Sequence, residues 1–428
     1  MEGSSHMSGC TQSSPVVVLG FGAAAVSAVM ALRAAGYAGR IEVVTKEGAE
    51  PYSPVLTSYY AGGRVSREQC FVWADEHPRT MVDAVHEHAC VESLDTDAHE
   101  VRFSGGQVLR YSKLLIATGA RPVAPGFPRD GATGAHMLRT LEDAERLRST
   151  LADARCRRVL ICGTSMVGLK VLEACLDRGV QPTLLGRSAH ILRASTHPAV
   201  AERFECLLAE RSVELRLGMT VADAAWHGEA AGCEIVYNTG ATEQFDAVVL
   251  AQGTAANLEF LDDGQIDIDQ GVLVDGFMHA SARDVFAAGD VAQGLDLSCG
   301  KKRVIGLWQN AVQQGRCAGR AIAAELAGRT ATMPFAGSVP SNVIHVRDIL
   351  FASAGRVEEG EGTRIDVQES EGTLLARAYK DMGGDERLVG FNMLTTAASG
   401  AHAVRAAEMI GAYRSEVKDT FLELTREG

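Results

Sequence analysis

The stretch Val16-Val17-Val18-Leu19-Gly20-Phe21-Gly22-Ala23-Ala24-Ala25 decides the reading of this chain. Four apolar residues run into a glycine-rich turn, and an alanine-rich segment follows. An unbroken apolar run suits a parallel strand buried on both faces. Glycines in the turn let the backbone approach an anion. The helix opening there offers free N–H groups and a positive dipole end. Residues 23–35 read as that helix, apolar on most faces and closed by Gly36. Ile41-Glu42-Val43-Val44 reads as the next strand.

The same plan recurs further on. Residues 158–162 read as a strand, Gly163-Thr164-Ser165-Met166-Val167-Gly168 as the turn, and 167–178 as a helix ended by Gly179. Pro182-Thr183-Leu184-Leu185 is the following strand. One such loop is weak evidence, since a plain tight turn can look alike. Two with correct flanks predict two doubly wound nucleotide-binding units. Two nucleotides held at once suit the passage of reducing equivalents from one to the other.

Working outward, Lys113-Leu114-Leu115-Ile116-Ala117 reads as a strand ending in Thr118-Gly119-Ala120. Residues 121–131, rich in Pro and Gly, read as a linker. A second strand-and-glycine signal spans 246–253, and residues 284–290 read as a strand running into an acidic turn at Asp290. Residues 311–326 predict a helix. From about Met333 the pattern changes to short runs at 341–345, 350–354 and 374–379, expected in an antiparallel sheet, with a helix over 399–410. The expected fold is α/β: two Rossmann-like dinucleotide-binding domains plus a C-terminal α+β domain. The expected boundaries are 15–120 with 245–330, 121–244, and 331–428.

The chain has 428 residues, is 46% hydrophobic and 22% charged, and carries a formal net charge of −13. That composition is ordinary for a globular protein, and the acidity argues against nonspecific nucleic-acid binding. No apolar stretch reaches membrane-span length and no signal pattern opens the chain. Residues 1–7 read as an expression scar, with Met7 the expected native start. Ten cysteines are scattered without C-x-x-C or C-x4-C spacing, so no metal site and no redox disulfide is expected. Scattered thiols read as reduced in a cytoplasm, the expected location. His86, His88, His136 and His345 show no metal spacing.

Taken in order, five segments carry a resemblance. They are the Gly20 loop, Leu114-Leu115-Ile116-Ala117-Thr118-Gly119-Ala120-Arg121-Pro122, the Gly163 loop, Val285-Phe286-Ala287-Ala288-Gly289-Asp290, and Trp308-Gln309-Asn310-Ala311 with Gln314-Gly315-Arg316. With these the chain resembles the two-dinucleotide flavoproteins, the pyridine nucleotide-disulfide oxidoreductase family. Within it, the likeness is to the ferredoxin-reductase-like and nitrite-reductase N-terminal branch. The resemblance covers nearly the whole chain and implies an FAD-dependent NAD(P)H oxidoreductase. It implies FAD at the first loop, near Gly20, Gly22, Ala24, Ala25, Lys46, Glu47, Val91, Ala117, Thr118, Gly119, Arg121, Gly289 and Asp290, with Trp308 beside the ring. It implies NADPH or NADH at the second, near Gly163, Ser165, Met166, Val167, Arg187, Arg193 and Gly253. It further implies a homodimer formed through the C-terminal domain.

Departures from the family pattern carry information. Pro51-Tyr52-Ser53-Pro54-Val55-Leu56-Thr57-Ser58-Tyr59-Tyr60 contains no Cys, so disulfide reduction and cysteine-sulfenate chemistry are not expected there. Where ferredoxin-reductase members place Arg and Lys, this stretch has Pro54 and Tyr59, and the acidic partner after the second loop is Lys170. The family's Lys–Glu pair near the flavin is therefore expected to be absent. Lys170 reads either as a lone cation favouring reduced flavin or as a solvated helix lysine. Lys46 sits where some relatives have the ribose-binding acid, leaving Glu47 for that contact. After the second loop, Leu185-Gly186-Arg187-Ser188 lacks the acid of NAD-preferring members, and Arg193 follows. Arginine there can pair with a 2′-phosphate, which favours NADPH, although Arg193 also has counterparts in NAD enzymes.

With no internal thiol acceptor, the expected electron acceptor is another protein's redox centre: a ferredoxin, a rubredoxin or an oxygenase component. Lys301-Lys302-Arg303 is a candidate docking cluster for an acidic carrier, or a solvated loop. Two alternatives stay open. One is a flavin-dependent reductase, or a subunit of one, acting on a small molecule. The other is a low-turnover redox sensor.

Overall fold

A computed structural model describes residues 14–396, apart from 49, 124–133, 228–231, 263, 361, 371 and 382–385. Six α-helices are described: α1 (Ala23–Ala34), α2 (Thr57–Gly62), α3 (Leu141–Ala152), α4 (Met166–Asp177), α5 (Pro198–Glu210) and α6 (Trp308–Leu326). The linker expected over 121–131 and the helix expected over 399–410 lie partly or wholly outside the described residues.

Two five-stranded parallel sheets form the centre of the protein. The first runs Val285–Ala287, Lys113–Ile116, Val16–Leu19, Ile41–Val44, Ala84–His86. Its central strands are wholly buried because α1 and α6 cover it, and their apolar runs need no alternation. The second runs Glu214–Leu217, Gln181–Gly186, Arg158–Cys162, Ala247–Leu250, Ala135–Met137. The glycine-loop strand is central in both, and the spatial order around it is the same. Each unit also inserts a three-stranded antiparallel meander before the strand that returns beside the glycine-loop strand: Val91–Asp95, Glu100–Phe103 and Gln107–Arg110 before Lys113–Ile116, and Val221–Trp226, Cys233–Tyr237 and Thr242–Phe245 before Ala247–Leu250. The internal repeat read from the glycine loops thus extends over both units.

One expected boundary is corrected. Residues 247–250 were assigned to the flavin unit, but they pair between Arg158–Cys162 and Ala135–Met137. The second unit therefore runs on past 250. The chain passes between units through Ala120–Pro122 and Thr254–Ala256, which pair antiparallel as a two-stranded strap.

The C-terminal region is a five-stranded antiparallel sheet, in the order Ser341–Val346, Ile349–Gly355, Glu386–Thr395, Thr373–Asp381, Thr363–Ser370. Its apolar face shares a core with α4 and α5. Fully buried Asn392 ties the two together, accepting from the His197 N–H at 2.8 Å and donating to the Ser195 carbonyl at 2.8 Å. Arg211 reaches Asp348 across the same junction.

Candidate active site

The two glycine loops repeat one device down to single hydrogen bonds. The Gly20 N–H donates to the Val44 carbonyl at 2.7 Å, and the Gly163 N–H to the Leu185 carbonyl at 2.9 Å. Both glycines have positive φ, +93° and +132°. A Cβ on Gly20 would collide with the Ala117 carbonyl, and one on Gly163 with the Ala251 carbonyl. Those carbonyls belong to the neighbouring strand ends, so only glycine lets the strands close up. Gly22 caps α1 facing open space, and no acidic side chain lies in the first turn of α1. The N–H groups of Ala23, Ala24 and Ala25 are left for a ligand. In the second loop Ser165 caps α4 and turns its Oγ to the Ala251 carbonyl at 3.3 Å, ahead of Met166 and Val167. A Cβ on Gly168 would strike the Gly163 carbonyl, so this glycine serves close helix–strand packing. Gly253, at φ +108°, faces open space beside the strap.

Around the first loop the structure brings together residues far apart in sequence. Gly289 packs on Ala24, and its N–H donates to Gln314 of α6 at 2.8 Å, which fixes the turn carrying Asp290. Arg139 donates to Asp290 at 3.0 Å and lies against Gly119. The Thr118-Gly119 turn is clamped by Asn257, whose side chain donates to the Thr118 carbonyl at 2.7 Å. Glu47, not Lys46, is engaged: it accepts from the Tyr52 hydroxyl at 2.6 Å, and that hydroxyl accepts from the Leu141 N–H at 3.0 Å. Lys46 is exposed. Arg121 turns to the Ala256 carbonyl at 2.7 Å and pairs with Glu259. Val91 opens the first meander and packs on the core of the first unit. Trp308, the first residue of α6, stacks on Trp73 with centroids 4.9 Å apart.

Lys170 is not alone, which corrects the expectation of a lone cation. Its ammonium donates to the Tyr59 hydroxyl at 2.8 Å and to Glu173 at 3.0 Å. A Lys–Glu pair is therefore present, but within one turn of α4, with Tyr59 of α2 joining it. Glu173 is 3% exposed and also pairs with Arg64 at 2.7 Å. Burying a carboxylate is costly unless it is paired and hydrogen-bonded in this way. Cys70, whose carbonyl accepts the Ser53 N–H, is buried, and burial raises its thiol pKa. Burial also pushes Cys162, beside the second loop, up to about 12. A thiolate at either place is disfavoured. Arg187 and Arg193 stand exposed on the loop after Gln181–Gly186, and the Leu192 N–H folds that loop back onto the Thr164 carbonyl at 3.0 Å. No helix among the described residues is long and apolar enough to cross a membrane, and no His, Cys, Asp or Glu cluster among them could hold a metal ion.

Arg139, Tyr52, Trp73 and Asn257 were not singled out from the sequence. Arg139 had a signal. Thr140-Leu141-Glu142-Asp143 forms a capping box, and Asp143 also accepts from the Arg139 N–H at 3.1 Å. The start of α3 was legible, and Arg139 is the residue before its cap.

The profile of the family described as pyridine nucleotide-disulphide oxidoreductase matches residues 14–315. The epsilon subunit of NADH-dependent phenylglyoxylate dehydrogenase from Aromatoleum evansii is 28% identical over 378 residues, 88% of each chain. Rhodocoxin reductase from Rhodococcus erythropolis is 30% identical over 321 residues, 73% of this chain and 72% of its own. Among solved structures, an engineered water-forming NADPH oxidase bound to NADPH superposes with a TM-score of 0.84. It is 21% identical and aligns over 94% of this chain and 91% of that one. The duplicated cradles and the family match agree: the chain belongs to the pyridine nucleotide-disulphide oxidoreductase family, whose members bind FAD and NAD(P)H.

Proposed function

We propose that this chain is an FAD-dependent NAD(P)H oxidoreductase that hands electrons to a protein redox carrier: a ferredoxin, a rubredoxin or an oxygenase component. The observation that carries the reading is the pair of matching anion cradles, with the thiols of Cys70 and Cys162 buried and their pKa values raised. FAD, when bound, supplies the conversion of one hydride into two single electrons: NAD(P)H and two oxidised carriers become NAD(P)+, a proton and two reduced carriers. The residues fit such a group. The open space before Gly22 and the free N–H groups of α1 suit a pyrophosphate, and Glu47 is oriented by Tyr52 for a ribose. Asp290 is held in position by Gly289, Gln314 and Arg139. Lys170, braced by Tyr59 and Glu173, stands where α2 meets α4.

Arg187 and Arg193 support NADPH as the donor. The engineered NADPH oxidase carries Asp-Ala-Met changed to Ala-Arg-Ser and, five residues on, Pro changed to Arg. This chain reads Gly186-Arg187-Ser188 with Arg193 five residues on. A second reading has a specific support: the likeness to a dehydrogenase subunit spans 88% of both chains. The chain then serves as the nucleotide-handling subunit of a larger enzyme.

The deciding experiment is anaerobic stopped-flow reduction by NADPH and by NADH, followed by a ferredoxin. Fast bleaching by NADPH and rapid reoxidation by the carrier are expected. Bleaching without carrier reoxidation would overturn the carrier reading in favour of a small-molecule acceptor.

A further inference from the structure

Helix α6 carries glycines at 315 and 319, and a Cβ on either would collide with a backbone carbonyl of α1, at Ala24 and Ala28. The two helices therefore lie backbone to backbone. The residue after each glycine is turned about 100° around the helix. It stands beside the seam instead of in it. Those residues are Arg316 and Arg320, both exposed, and neither has a hydrogen bond or ion pair among the described residues. Beside the seam α1 presents Ser27, Met30, Ala31 and Ala34, followed by Ala35, and a cavity of about 680 Å³ opens there between the helices. The stacked Trp73 and Trp308 line it, together with Val72 and Met333, which are 43% and 60% exposed. A second hollow continues along α6 past Arg320 to Arg329. Glu76 is the one carboxylate among the lining residues.

We propose that this groove is the docking site for the acidic face of the electron-accepting protein. The inference rests on the carrier reading above and gives it a surface. Three guanidinium groups that make no ion pair among the described residues, Arg316, Arg320 and Arg329, line the two hollows on a chain of net charge −13. That is charge complementarity waiting for carboxylates from outside. The seat is open and its arginines are solvated, which suits a broad protein face over a small anion. An exposed Met beside a Trp pair and arginines is the composition of an interface centre. The groove also begins at Trp308, two residues after Gly306, which lies beside Asp290. A carrier covering the Trp308 end of the groove reaches toward the turn assigned to FAD. Lys301-Lys302-Arg303 forms a separate exposed strand edge, paired with Ala292–Asp296, and serves as the control surface.

The test is reduction of an acidic [2Fe–2S] ferredoxin by the holoenzyme across a range of salt concentrations. It compares wild type, Arg316→Glu with Arg320→Glu, the milder Arg316→Gln with Arg320→Gln, and Lys301→Glu with Lys302→Glu. The α6 reversals should lower kcat/KM by about tenfold or more and flatten its salt dependence. Flavin content and the rate of bleaching by NADPH should stay unchanged. The glutamine pair should show a smaller loss in the same direction. Unchanged kcat/KM in the α6 variants, or a larger loss in the Lys301 and Lys302 variant, overturns the proposal while leaving the carrier reading standing. A wild-type enzyme that bleaches but reduces no carrier overturns both. Binding to phosphatidylserine vesicles that the α6 reversals abolish, with carrier reduction intact, reassigns the groove to a membrane surface.

Discussion

At the scale of the residue, Arg187 is the side chain whose replacement separates one reading from another. Removing a guanidinium that holds a phosphate costs about 1.5–3 kcal/mol. Arg187→Ala should therefore raise KM for NADPH by about ten- to a hundredfold and leave KM for NADH nearly unchanged. Equal effects on both nucleotides would refute the assignment. For Lys170, the measurement is the flavin midpoint potential in Lys170→Met. Loss of a cation that favours reduced flavin should lower it, and an unchanged value would return Lys170 to a structural role. What was legible at this scale depended on whether the partner was near in sequence. Gly20, Gly22 and Gly163 announced themselves through spacing alone. Lys170 and Tyr59 were both singled out, as replacements of the two members of one family pair, but the hydrogen bond between them and the company of Glu173 were not. Tyr59 lies on a helix of the other unit, and only the docking of α2 on α4 brings its hydroxyl within reach.

At the scale of the element, the glycines divide into those that pack and those that leave room. Gly22→Ala adds a methyl where nothing stands within contact distance, so the fold should survive and FAD retention should weaken. Gly319→Ala drives a methyl into the Ala28 carbonyl and should cost about 1–3 kcal/mol or more of stability, read as a lower Cm in urea. A Gly22 variant with full FAD affinity would remove the pyrophosphate assignment. Both β–turn–α units were visible in advance because apolar runs and glycine turns are local signals. The strand Ala247–Leu250 was equally visible as a strand, yet it was placed in the wrong unit. An apolar run says that it is buried on both faces. It does not say between which neighbours.

At the scale of the molecule, a charged cluster ties the end of α6 to the flavin-unit sheet. His279 hydrogen-bonds Asp275 at 2.9 Å and Glu325 at 2.5 Å, and Lys113 pairs with Asp284 and Glu325. Burial works against the charged imidazole, but the hydrogen bonds to Asp275 and Glu325 prevail and raise its pKa. A raised folded-state value stabilises the fold fully below the unfolded value, about 6.5. That contribution is lost as pH rises through the folded value. Tm should therefore fall as pH climbs above neutrality, and His279→Gln should flatten the profile; an unaltered slope in the variant would exclude His279 as its source. The sheet order has a consequence for synthesis. Every strand of the second sheet lies between residues 135 and 250, whereas the first sheet waits for Val285–Ala287. On the ribosome the inserted unit is complete first, and the unit that begins the chain closes only after it. Nascent chains halted near residue 280 should protect the middle of the polypeptide from protease while leaving its beginning cleavable.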